Sequence, residues 1–302
     1  MNKKRLNKKK VLLVFIPLII AGTIIYWFLP SNSTKTEEKQ PKKTVNNDPQ
    51  YYQTSLKERY ENYQKTNPDL STEEIITRVN MNLDYPFYEV IIPQNKPLEL
   101  NTIVNKYYKL DDNFTPDDLI YINDTYANTS DPAYKYRKHQ MRKVVYDDFI
   151  ALKEACKTKG FNLYVVSGYR STTWQTEIYN HMVNTYSVAK ADQTCSRPGH
   201  SEHTTGLACD IALDNYSFED VIKHPQYQWF LGQLANYGFI IRYPENKDTL
   251  TGYSYESWHL RYLGKDLAKK VTASNLTYDE YYAQNYACLL YTSPSPRDPK
   301  TS

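Results

Sequence analysis

The sequence predicts an α+β fold, a small mixed or antiparallel sheet flanked by helices, carried behind an N-terminal membrane helix. Three observations predict it. Helical and strand-like patterns alternate from about Asn101 to Gln284 with no linker between them, as expected of one continuous α+β domain. An uncharged apolar run, "VLLVFIPLIIAGTIIYWFL", covers Val11 to Leu29. The 302 residues are enough to bury a substantial core.

Residues 1–30 read as a basic tail and a transmembrane anchor. Six of the first ten residues are Lys or Arg, and none is acidic. The apolar run that follows approaches the roughly 20 residues with which a helix crosses a bilayer. The basic flank is expected to stay in the cytoplasm, which places everything after Pro30 outside a cell membrane crossed once. A cleaved signal peptide is the alternative, but the run exceeds the usual length of about 7–15 residues and no small-x-small site follows it. Outside the tail, 31 basic residues meet 34 acidic ones, so no basic groove for nucleic acid is expected.

Residues 31–55 lack apolar periodicity and read as a solvated linker. Residues 56–98 form a short helical leading segment: "LKERYENYQKTNP" and "STEEIITRVNMNLDY" suggest helices, the second with Ser71 or Thr72 as N-cap and acids in its first turn. Residues 99–285 are the main domain. In "VVYDDFIALKEACKTKG", Val145, Phe149, Leu152 and Cys156 recur at helical spacing and Gly160 supplies a stop, so Cys156 is expected as a core thiol. A Cys156–Cys195 pair is possible in principle, with nothing in the sequence to support it. The 30 tyrosines are scattered and assigned mostly to packing. Residues 286–302 change abruptly to a Ser/Pro/Arg composition and are set aside from the fold as a disordered or artefactual tail.

Three stretches carry chemistry. In "TGLACDIAL", Leu207, Cys209, Ile211 and Leu213 share one face of a strand, while Ala208, Asp210 and Ala212 share the other. Cys209 then faces the core, and Asp210 has room around its carboxylate. His203 lies just before the strand, beyond the turn-permissive Gly206. This is either a satisfied polar pair at a strand start or part of a metal site. In "GYSYESWHLRYLG", Trp258, Leu260 and Tyr262 form the apolar face of another strand and His259 with Arg261 the other face; Glu256 sits three residues before His259. Zinc hydrolases use three protein ligands and leave a fourth position to water, whose pKa falls from 15.7 to about 7. His203, Asp210 and His259 supply such a set. A carboxylate must still move the water's proton, and Glu256 is the candidate. In "FNLYVVSGYRSTTWQTEIY", a strand runs into a helix capped near Ser171 or Thr172, with Arg170 at the strand end and Gln175 on the first helical turn. Arg170 suits a carboxylate or an oxyanion; a surface ion pair is its alternative.

"SGYRSTTWQ", "PGHSEHTTGLACDI", "YGFIIRYP" and "TGYSYESWHLRYLG", in this order, resemble the zinc D-alanyl-D-alanine carboxypeptidases of the VanY type. The resemblance runs from about residue 75 to 275. Ser-x-His-x-x-Gly-x-Ala-x-Asp occupies Ser201 to Asp210, and Glu-x-Trp-His occupies Glu256 to His259. It implies one Zn²⁺ per chain held by His203, Asp210 and His259, Glu256 as catalytic base, and substrate contacts from Arg170, Gln175 and Ser201. It implies peptidoglycan stem peptides as substrate, trimmed of a terminal D-alanine. L,D-carboxypeptidase action on tetrapeptides is the rival within the class, with endopeptidase action behind it. A non-catalytic wall-binding module is the rival from another class, and a purely structural zinc site comes last. His200 could compete as a ligand, but no partner acid follows it at a matching position. His139, His181 and His224 are expected at surface or packing positions.

Overall fold

The computed structural model describes residues 48–122 and 138–287. The expected anchor, most of the expected linker and residues 288–302 of the expected tail lie outside these residues; Tyr286 and Ala287, set aside with that tail, are packed instead, Ala287 fully buried and Tyr286 against the cluster around Tyr282. Among the described residues no helix is long and apolar enough to cross a membrane.

Folded structure begins earlier than the linker boundary at residue 55 predicts. Tyr51 and Tyr52 pack on a small cluster of Leu56, Tyr60, Ile75, Ile76 and Val79. Gln53 is buried, its side-chain amide donating to Asn80 Oδ1 at 3.2 Å. The leading segment forms α1, Lys57–Thr66, and α2, Thr72–Asn80. Ser71 is the N-cap of α2 in a full capping box with Glu74, which satisfies two backbone donors reciprocally. This helical pair docks on the last helix, where Gln284 Nε2 donates to Thr77 Oγ1 at 3.0 Å.

Short pairs β1, Ile92–Pro93, with β2, Tyr108–Lys109, and β3, Leu119–Tyr121, with β4, Gln140–Arg142, precede the main helix α3, Lys143–Lys159. Gly160 ends α3 in the left-handed conformation, at φ 102°, as the stop signal predicts. The main sheet has four antiparallel strands: β5, Leu163–Ser167; β6, Ala208–Leu213; β7, Phe239–Ile241; and β8, His259–Tyr262. Their order is β5-β6-β8-β7. Between β5 and β6 run α4, Thr172–Thr185, and α5, Val188–Thr194. After β6 come α6, Tyr227–Leu234, then β7, the short α7, Asp248–Thr251, and β8. The chain closes with α8, Lys265–Ser274, and α9, Tyr278–Asn285.

Alternation on β6 sorts its side chains as the sequence predicts. Leu207, Cys209, Ile211 and Leu213 join Val145, Phe149, Leu152 and Cys156 in the main core. Ala212 packs with Val166 on the opposite side. Burial of a large aliphatic or aromatic side chain in such a core stabilises by about 1.5–3 kcal/mol, so one face of the sheet is committed to packing and the other is left for chemistry. Cys156, Cys195 and Cys209 are all free thiols, and no disulfide joins Cys156 to Cys195.

Candidate metal centre

The uncommitted face of the sheet holds the site. A register irregularity between Val165 and Ser167 bends the end of β5, and such a bulge re-aims the residues that follow it. Those residues are Gly168, Tyr169 and Arg170. Asp210 on β6 and His259 on β8 are direct partners in the ladder. His203 comes from a 3-10 turn, Glu202–Thr205, closed by Gly206 at φ 66°. One ligand-capable atom from each of His203, Asp210 and His259 lies within 4.8 Å of the others.

Orientation within this trio is well defined. His203 Nδ1 donates to the Gly168 carbonyl at 2.8 Å, because a carbonyl can only accept. Its Nε2 is thereby left with a lone pair, 3.3 Å from Asp210 Oδ2. His259 Nδ1 lies 3.4 Å from Asp210 Oδ1. Two donors held at about 2.0–2.2 Å by one tetrahedral ion stand about 3.3–3.5 Å apart, so both spacings suit a shared ion. Asp210 Oδ1 is buried without a hydrogen-bond partner, an expensive condition for a carboxylate oxygen unless a cation meets it. The donor set therefore fits a metal.

Electrostatics agree. Burial opposes ionisation of Asp210, but His203 and His259 outweigh it and hold the carboxyl well below the usual range. Burial and the neighbouring Arg170 lower His203, which favours the neutral imidazole, the form that can bind a metal. Burial opposes a charge on His259 too, yet Asp210, Glu202 and Glu256 raise it well above 6.5. Three carboxylates around one imidazole call for positive charge at this point. Glu256 Oε2 lies 3.2 Å from His259 Nδ1, and burial raises the Glu256 carboxyl above its ordinary value, which improves it as a proton acceptor.

All seven residues singled out in the sequence line one cavity of about 200 Å³. Arg170 reaches Asp210 Oδ2 at 3.6 Å, and its Nε is buried with no partner. Ser201 is buried at the entry to the His203 turn. Gln175, expected to contact substrate, has its amide nitrogen already engaged. Its Nε2 donates to the Ser196 carbonyl at 2.6 Å and to Cys195 Sγ at 3.3 Å, so its free atom is Oε1, an acceptor that suits a substrate N–H and not a carboxylate. His200 stands apart from the trio: its Nδ1 donates to the Asn105 carbonyl at 2.7 Å and its ring meets the edge of Tyr88. His224 pairs with Asp214, and His139 is buried.

Sequence reasoning missed two features of the cavity and its support. Trp174, Ile178 and Met182 recur at i, i+4 and i+8 on α4 and form an apolar wall that the helical spacing already carried. Glu202 is fully buried behind His259; an acid immediately before a candidate ligand was the available signal.

Residues 138–265 match the family model VanY, D-alanyl-D-alanine carboxypeptidase. YodJ of Bacillus subtilis (strain 168), a carboxypeptidase by name, is 39% identical over 189 residues, covering 62% of this chain and 68% of that protein. Among solved structures, the LdcB LD-carboxypeptidase superposes with a TM-score of 0.58 at 34% identity, covering 64% of this chain and 90% of the other. VanYB in complex with D-alanine-D-alanine superposes at 0.50 with 27% identity, covering 64% and 98%.

Proposed function

The chain belongs to the VanY family of D-alanyl-D-alanine carboxypeptidases, and from that premise we propose a zinc-dependent exopeptidase that removes the terminal D-alanine from peptidoglycan stem peptides. One observation carries the reading: a His/Asp/His trio, the Glu256 carboxylate beside it and an arginine with an unpartnered Nε line the same cavity. His203, Asp210 and His259 would hold the zinc, with two imidazoles and a carboxylate suited to it. Zinc so held supplies Lewis-acid polarisation of a carbonyl and acidifies water.

The chain's own residues do the rest. Glu256 takes the proton of the attacking water at its carboxylate and returns it to the departing amine. Arg170 holds the free terminal carboxylate through its guanidinium fork, which restricts cleavage to a chain end. Gln175 Oε1 accepts from a backbone N–H of the bound peptide, and the cavity wall around Trp174 keeps water from the reacting bond. In this reading the apolar run at Val11–Leu29 tethers the domain to the outer side of the cell membrane, within reach of the wall.

A second reading, cleavage of an L,D bond in tetrapeptide stems, is favoured by the higher similarity to LdcB than to VanYB. The test is incubation of the purified chain with defined penta- and tetrapeptide stems and identification of the products by mass. Loss of one D-alanine from the pentapeptide supports D,D action, and loss from the tetrapeptide supports L,D action. Cleavage of neither sinks the enzymatic reading.

A further inference from the structure

Glu202 stands between Ser201 and His203 in the chain, yet its side chain is wholly buried and takes no part in the cavity wall. Its two carboxylate oxygens are used differently. Oε1 accepts from Arg242 Nε at 2.7 Å and from Arg261 Nη1 at 2.6 Å. Oε2 faces His259 Nε2 at 3.6 Å. Both facing atoms are buried, and neither has a hydrogen-bond partner. A carboxylate present only to neutralise the two arginines would share both oxygens between them. Here one oxygen takes both guanidinium groups and the other is kept for the imidazole.

The opposite edge of that imidazole presents Nδ1 to Asp210 and Glu256, on the cavity side. A neutral imidazole has one protonated nitrogen and one lone pair, and the hydrogen bond at one nitrogen selects the other as ligand. We propose that Glu202 is a positioning residue of the metal centre: its Oε2 accepts the Nε2 proton of His259, so that Nδ1 is the nitrogen that meets the metal. The inference rests on the metal-ligand reading above and adds a support to it.

Glu202 is itself held from several elements. Arg242 donates both Nη groups to Asp279 on α9. Arg261 Nη2 donates to the Leu100 and Thr102 carbonyls at 3.0 and 2.7 Å. At 3.6 Å the pair falls short of a hydrogen bond, and reaching about 2.9 Å needs an approach of about 0.7 Å between ring and carboxylate. The orientation of His259 is therefore set by the interior of the protein and not by the metal alone.

The test uses the full-length chain in detergent, loaded with zinc. Long-range ¹⁵N–¹H correlation spectra, with His259 assigned by its loss in His259→Gln, read which ring nitrogen carries the proton. A protonated Nε2 with a zinc-shifted Nδ1 is expected. Glu202→Gln keeps the side-chain shape, but its oxygen is drawn to the two arginines and its NH2 group is left against His259 Nε2, donor against donor. Zinc affinity, measured by competition with a chelator, should fall about 10–100-fold. Zinc bound through Nε2 with Nδ1 protonated overturns this inference and leaves the ligand set intact, as does an unchanged affinity in Glu202→Gln. Absence of zinc binding in the wild type overturns the metal reading and this inference with it. If the variant fails to fold, the wild-type spectrum decides alone.

Discussion

Asp210 and His259 are paired residues on neighbouring antiparallel strands, and their Oδ1 and Nδ1 atoms lie 3.4 Å apart. Two of three candidate ligands are thus placed by the sheet itself, the most rigid part of the domain. The third, His203, is brought to them by a tight turn and held by a hydrogen bond to Gly168.

Removal of any of the three should remove the metal. His203→Ala, Asp210→Ala and His259→Ala are each expected to lose zinc by metal analysis. Cys209→Ser should keep it, since Cys209 lies in the core on the other face of β6. Full occupancy in Asp210→Ala would take that residue out of the set.

Glu256→Gln should retain zinc and lose about 10²–10⁴-fold in turnover, the usual contribution of a general base. Parallel measurements of bound metal and of kcat separate the two roles. Loss of zinc in this variant would make Glu256 a ligand instead of a base.

Arg170→Ala should lower kcat/KM for a peptide with a free terminal carboxylate by about one to two decades, the loss expected of a charge-assisted contact of about 1.5–3 kcal/mol. Arg170→Lys should also be impaired, since an ammonium lacks the planar fork. The same peptide with a C-terminal amide is the control. Wild type that cleaves acid and amide equally would disprove the carboxylate grip.

Gly168→Ala should disturb the centre without touching a ligand. An added Cβ at this position would run into the backbone carbonyl of Gln140, so the end of β5 must move. The carbonyl that orients His203 moves with it. Weaker zinc binding with unchanged ligands is expected in a chelator competition, and an unaltered affinity would show that the turn tolerates the shift.

His200 should make stability depend on pH. Burial lowers its pKa from 6.5 to about 4, so the unfolded chain takes up a proton that the folded chain refuses. Between those values the unfolded state binds more protons, and stability falls as pH drops from about 6.5 to about 4, by up to about 3 kcal/mol. His200→Asn, whose amide can still donate to the Asn105 carbonyl, should flatten this part of the profile. Urea unfolding at pH 7 and pH 4.5 in both proteins measures the difference; equal slopes would mean that His200 is not desolvated.

By itself the sequence determined what depends on local order. The alternation of Leu207, Cys209, Ile211 and Leu213 against Asp210 follows from the two-residue period of a strand, and the Val145–Cys156 face follows from the helical repeat. Capping at Ser71 and the stop at Gly160 are likewise local chemistry. The candidate trio stood out because each member sits in a short motif, and the fold brings one ligand-capable atom of each within 4.8 Å of the others. Only the tertiary structure decided what depends on distant residues meeting. It committed the Gln175 amide to the Ser196 carbonyl and Cys195 Sγ, and turned Tyr51 to Gln53 from expected linker into packed structure. It also brought Arg242, Arg261 and Asp279 around Glu202. The partners of a buried charge have no fixed spacing in the chain, because desolvation demands that they converge in space and leaves their order along the sequence free.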